Sequence, residues 1–223
     1  MKKPLLLIVG ILLLDQLVKF WVKTHMFLGE EIRFADWAII HFTENNGMAF
    51  GMEFGGEYGK IFLSTFRIFF VIAIFFYLKK IVKENANKLY IYCIAMVIAG
   101  AAGNIIDSIF YGQLFNGSEF QIATFLPEQG YAPWLHGRVV DMFYFPILSG
   151  HFPSWFPLWG GDEFIFFRPV FNVADASISV SVVLMILFQK RIFNASELKP
   201  FSESEVVVTQ ENTSSENAEE AKQ

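Results

Sequence analysis

Residues 89–109 read LYIYCIAMVIAGAAGNIIDSI, a run with no charged side chain until Asp107. At about 1.5 Å per residue such a helix reaches roughly 32 Å, which matches the ~30 Å hydrocarbon core of a bilayer. Three more apolar runs of similar length lie outward from it, Leu5–Val22, Ile61–Leu78 and Val170–Phe188. Four such helices in one chain of 223 residues are hard to bury against each other without lipid. The expected fold class is therefore an all-α integral membrane protein of four transmembrane helices. The first run is read as a retained helix rather than a cleaved signal, because Asp15 interrupts it and no small-x-small site follows.

Charge placement sets the expected orientation. Hydrophobic residues make up 54% and charged residues 17% of the chain, and the net charge is -5. The tail from Asn194 to Gln223 carries all of that excess, so the body is neutral and offers no basic footprint for nucleic acid. Lys2 and Lys3, then Lys79, Lys80, Lys83 and Lys88, then Lys190 and Arg191 flank three span ends and belong in the cytoplasm. Both termini are then cytoplasmic, and loops 23–60 and 110–169 face outward. Ile39–Thr43 alternates as a strand would, so a small extracytoplasmic β-containing loop region is expected. The body, residues 1–193, reads as one membrane domain. Residues 194–223 read as a disordered acidic tail. Cys93 is the only cysteine, so no internal disulfide or cysteine metal set is possible.

Ionisable side chains inside apolar spans are costly and need a reason. Asp15 and Lys19, four apart, share a helix face, which suits an ion pair with the lysine reaching outward. Arg67 on the second span has no evident role. Asn104 and Asp107 are three apart, as are Asn172 and Asp175; Asn172 also suits a helix N-cap and Asp175 the positive end of a helix dipole. Asp141 follows an apolar pair in Gly137-Arg-Val-Val-Asp141. In the expected orientation these groups gather near the outer membrane face. His25, His41, His136 and His151 form no metal pair at helical spacing, and no Ser/His/Asp set stands at useful positions. Two carboxylates sharing one proton can run aspartic-protease chemistry with no metal or cofactor. Spacing alone equally allows an ion or proton pathway, or a scaffold in which polar pairs only join helices.

Five motifs occur in order along the chain: Asp15-Gln-Leu-Val-Lys19, Asn45-Asn-Gly-Met-Ala-Phe50, Gly103-Asn-Ile-Ile-Asp107, Val139-Val-Asp141 and Phe171-Asn-Val-Ala-Asp175. In these the chain, from Met1 to about Arg191, resembles the bacterial lipoprotein signal peptidases, also called type II signal peptidases. The resemblance implies a membrane aspartic endopeptidase that cleaves a diacylglyceryl-modified prolipoprotein just before its lipidated Cys. It implies Asp141 and Asp175 as the catalytic pair. It implies Asn45, Gly47, Ala49 and Phe50 as groove lining, and Asp15, Lys19, Asn104, Asp107 and Asn172 as site support. Membrane lipid is the expected surrounding, the bundle is expected to act as a monomer, and no cofactor is implied. The chain departs from the family at Ser108, where an arginine usually follows the span-three Asp, and Arg138 is the candidate replacement. Aromatic-rich insertions at Leu114–Leu135 and Leu148–Phe167 are a second departure, suited to docking on the membrane or covering the cleft.

Overall fold

The computed structural model describes residues 1–46, 56–157, 159–166 and 169–192. The expectations for Gly47, Ala49, Phe50 and the tail 194–223 lie outside the described residues. Helix α1 spans Lys2–His25, α2 spans Gly56–Lys83 and α3 spans Lys88–Ile106. Asn87 caps α3 by accepting from the Leu89 amide at 2.9 Å. Past Ile106 the helix widens into a π-turn, Asp107–Tyr111, and ends as a short α4, Gly112–Leu114. Among the described residues three stretches, Lys2–His25, Gly59–Lys83 and Lys88–Leu114, are long and apolar enough to cross a membrane. Their surfaces are those of lipid-facing helices: Leu6, Leu17, Phe62 and Phe69 are all about 70% exposed.

The fourth apolar run differs from the sequence expectation. Its helix, α5, is Val173–Leu187, 15 residues and only about 22 Å long. Val170–Phe171 leave the helix for a strand, and Asn172 begins it with a capping box shared with Asp175. A short α6, Gln189–Ile192, follows.

The small sheet expected outside the helices is present and larger than Ile39–Thr43. Strands β1 (Glu31–Ala35), β2 (Ala38–Asn45), β3 (Val139–Tyr144) and β6 (Val170–Phe171) pair antiparallel in the order β1-β2-β3-β6. The register sets Asp141 opposite Thr43 and Phe143 opposite Phe171. The second insertion contains a separate pair, β4 (Leu148–His151) with β5 (Glu163–Phe166).

The bundle has two chemically distinct ends. One cavity is lined jointly by Lys2, Lys3 and Pro4 and by Asn85, Lys88 and Tyr92, so the N-terminus meets the α2–α3 turn. Asn87 Nδ2 donates to the Arg191 carbonyl at 2.9 Å, which brings the end of α6 there too. This is the basic end. Near it Ile8, Leu78, Ile81, Ile91 and Ile98 form one core. The sheet lies at the opposite end, over a second core of Val22, Met26, Phe42, Tyr111, Phe115, Val140 and Met142. Between the two, glycines let helix backbones approach. A Cβ on Gly103 would sit 2.7 Å from Asp15 Oδ2 and 3.1 Å from the Ala174 Cβ.

Candidate active site

Four elements meet where the helices reach the sheet. Helix α1 carries Asp15, Gln16 and Lys19; α3 and its π-turn carry Asn104 and Asp107; β3 carries Asp141; the start of α5 carries Asn172 and Asp175. π-turns often mark functional sites, and this one places Asp107 against the sheet.

Lys19 is fully buried and does not reach outward as a snorkelling lysine would. Its ammonium uses all three protons: 2.9 Å to Asp15 Oδ2, 2.8 Å to Asp107 Oδ2 and 2.8 Å to Asn104 Oδ1. The two acids are committed further. Asp15 Oδ1 accepts from the Ala174 amide at 2.8 Å, in the first turn of α5. Asp107 accepts from the Val140 amide at 3.2 Å and from Gln16 Nε2 at 2.9 Å. The Tyr111 hydroxyl donates to Gln16 Oε1 at 3.2 Å. Asp15 and Asp107 thus fasten α1 to α5 and α3 to β3.

Asp141 and Asp175 are held differently. Asn172 Nδ2 donates to Asp141 Oδ1 at 2.7 Å and lies 3.1 Å from Asn104 Oδ1. Asn104 Nδ2 donates to Asp175 Oδ1 at 2.8 Å. The orientation of Asn104 is forced, because an ammonium can only donate: Lys19 takes the Oδ1 side, and the amide NH₂ is left for Asp175. Two asparagines therefore bridge the two carboxylates. Asp175 is also the third residue of the capped helix, where the Asn172 amide approaches its Oδ2 at 3.5 Å. Asp141 is 4% exposed, and Asp175 is half-buried. Burial first, and the Asp175 charge second, push the Asp141 carboxyl up to about 7; hydrogen bonds from Asn172 and Asn45 oppose the rise.

Arg138 does not take the place of an arginine beside Asp107. Its guanidinium lies 3.2 Å from Glu44 and 2.6 Å from Glu119, and Lys19 is the partner of Asp107. Ser108 instead bonds its own helix, donating to the Asn104 carbonyl at 3.0 Å. Sequence reasoning missed Gln16 and Tyr111, and also Lys23, which is fully buried and pairs with Glu44 and Ser118. Arg67, without a role in the sequence, is near enough to Asp175 to feel its charge. For Gln16 the signal was available: it is the polar neighbour of Asp15 inside an apolar run.

Apolar helices of bilayer length, capped by a sheet that carries an acid toward two of them, define a polytopic membrane protein with a paired-carboxylate centre. Two solved bacterial membrane enzymes determined by the in meso method share its fold. One superposes with a TM-score of 0.57 over 91% of this chain and 96% of its own, at 22% identity. The other has a TM-score of 0.55 over 85% and 93%, at 23% identity. The family model described as signal peptidase (SPase) II matches residues 7–191. The lipoprotein signal peptidase of Porphyromonas gingivalis is 52% identical over 187 residues, 83% of this chain and 81% of that protein. That of Amoebophilus asiaticus is 34% identical over 197 residues, 86% and 79% of the two chains. The chain belongs to the signal peptidase II family, proteases that remove signal peptides.

Proposed function

We propose that this protein is an aspartic endopeptidase that cuts a diacylglyceryl-modified prolipoprotein immediately before its lipidated Cys, using Asp141 and Asp175. The observation that carries this reading is the bridge Asp141–Asn172–Asn104–Asp175, which holds two acids in one electrostatic unit. Asp141 holds its proton near neutral pH and is the acid. Asp175, at a helix start and accepting from two donors, is the base. Asp175 removes a proton from a water as its oxygen attacks the scissile carbonyl carbon. Asp141 gives its proton to the carbonyl oxygen. The tetrahedral intermediate collapses as the C–N bond breaks, the amine of the lipidated Cys takes a proton from Asp175, and the new carboxyl group returns one to Asp141.

The signal helix and lipid chains would lie against the apolar helices, so the scissile bond emerges at the level of the sheet. We assign α5 as a fourth span, the basic end to the cytoplasm and the site to the outer face, with one copy sufficient. Asn45 supports Asp141 through a side-chain hydrogen bond, and we assign Gly47, Ala49 and Phe50, which follow it in sequence, to the groove. A proton or ion relay is disfavoured, because Asp15 and Asp107 are closed by Lys19 and by backbone amides.

The test is cleavage of a lipid-modified prolipoprotein in detergent micelles. Asp141→Asn and Asp175→Asn should each lower turnover by at least roughly 10²–10⁴-fold while the protein still inserts and folds. Near-normal turnover by either variant removes the pair from the chemistry.

A further inference from the structure

The segment between α4 and β3 is an ordered strap that buries Phe115 in the core but turns Phe120, Ile122, Leu126 and Trp134 outward. Backbone bonds tie it down: Leu126 N to Leu114 O at 2.8 Å, Tyr131 N to Phe115 O at 3.0 Å and Ala132 N to Gly112 O at 3.0 Å. Ser118 fastens its far side, accepting from the Leu28 amide at 3.0 Å through its carbonyl and from Lys23 through its hydroxyl at 2.9 Å. Yet Phe120 is fully exposed, Leu126 is 66% exposed and Trp134 is 55% exposed. Phe120 and Leu126 also have positive φ, 62° and 54°, a conformation that bulky side chains rarely adopt. A loop facing water would gain by folding these groups inward; here a strained backbone holds them out.

What covers them follows from their neighbours. Phe125 packs edge-on against Phe20 of α1, with ring centroids 5.2 Å apart, and Trp134 packs edge-on against Phe110 at 5.7 Å. Phe20 and Phe110 are themselves exposed on helices of bilayer length. Phe20 precedes the end of α1 by five residues, about 7–8 Å along the axis, and Phe125 packs against it there. The apolar face of the strap is thus continuous with the lipid-facing surface of the helices. The segment carries two acids: Glu119, beside Phe120, is paired with Arg138 at 2.6 Å, and Glu128 is exposed two residues beyond Leu126. Aromatic side chains favour the boundary between headgroups and acyl chains.

We propose that segment 115–135 dips into the membrane at the sheet end of the bundle, with Phe120, Ile122, Leu126 and Trp134 seated in lipid at the headgroup–acyl boundary. Single cysteines at Phe120→Cys and Ile122→Cys, nitroxide-labelled on the full chain in phosphatidylcholine vesicles, test it. Native Cys93 is buried and serves as the unlabelled background. Both sites should collide with oxygen several-fold more than with a water-soluble nickel chelate, as the lipid-facing control Leu14→Cys does. Chelate-dominated collision, as at the exposed turn control Asp36→Cys, overturns the proposal. Low collision with both reagents also overturns it, since a second copy or the protein's own cleft would then cover the strap. A label-free measurement guards against misfolded variants: brominated lipid should quench intrinsic fluorescence, and Trp134→Phe should remove part of the quenched signal. An unchanged quenched component would count against seating of Trp134 in lipid.

Discussion

Asp141 holds its proton up to about pH 7 because burial and the neighbouring Asp175 charge both disfavour its ionised form. The sign of the pH dependence follows. With Asp141 as the proposed general acid, the pair keeps the proton it needs below that value; above it Asp141 ionises, and kcat/KM, which reports the free enzyme, should fall about tenfold per pH unit. Turnover measured from pH 6 to 9 on a lipid-modified substrate checks this, and a rate still rising at pH 9 would contradict it. Lys19 carries a different prediction. It is the ammonium set against both Asp15 and Asp107, so Lys19→Met leaves two buried carboxylates without their cation. The expected cost is about 3–5 kcal/mol, read as a lowered unfolding midpoint in detergent, with partial recovery when Asp107→Asn is added. The acids themselves were legible in the sequence, because charges in apolar runs stand out and their motifs match a family. Their division into a pair and supporting acids was implied only by the family resemblance. Its physical basis needs contacts between separate elements, in which Asp15 and Asp107 are spent on backbone amides, whereas Asp141 and Asp175 are bridged by asparagine side chains.

Helix α3 is the element on which the others are assembled, packing against α1, α2 and α5. Gly103 faces both α1 and α5: an added Cβ would meet Asp15 Oδ2 and the Ala174 methyl. Gly103→Val should therefore separate α5 from α1, break the contact from Asp15 to the Ala174 amide, and cost about 1–3 kcal/mol from overpacking. Activity should fall with stability, because the same movement carries Asn172 and Asp175 away from Asn104. Thermal unfolding and turnover of the one variant measure both, and a fully active, fully stable Gly103→Val would show that the approach is not tight. The start of α5 was misjudged for a physical reason. Val170 and Phe171 are apolar and continue the hydropathy of the helix, so composition assigns them to a span. Their pairing with Tyr144 and Phe143 is a long-range choice that no local pattern records. The cap itself was readable from Asn172, and it marks the boundary that hydropathy blurs.

Across the molecule, the charges divide by end. Lys2, Lys3 and Lys88 surround one cavity at the basic end, and the acids of the site lie at the other, below the sheet. Positive charge flanking short loops stays on the cytoplasmic side of a membrane, and the basic end collects such loops from three separate parts of the chain. A mis-oriented protein would have to move all of them across the bilayer together. Labelling with a membrane-impermeant thiol reagent puts this to the test. Asn85→Cys, in the exposed α2–α3 turn, should react only after the cells are permeabilised, whereas Asp36→Cys, in the exposed β1–β2 turn, should react in intact cells. The reverse pattern would set the paired carboxylates in the cytoplasm and overturn the proposed orientation. Reaction of both cysteines in intact cells would place both turns outside and remove α2 from the set of spans. The assay thus probes the direction of the site independently of its chemistry.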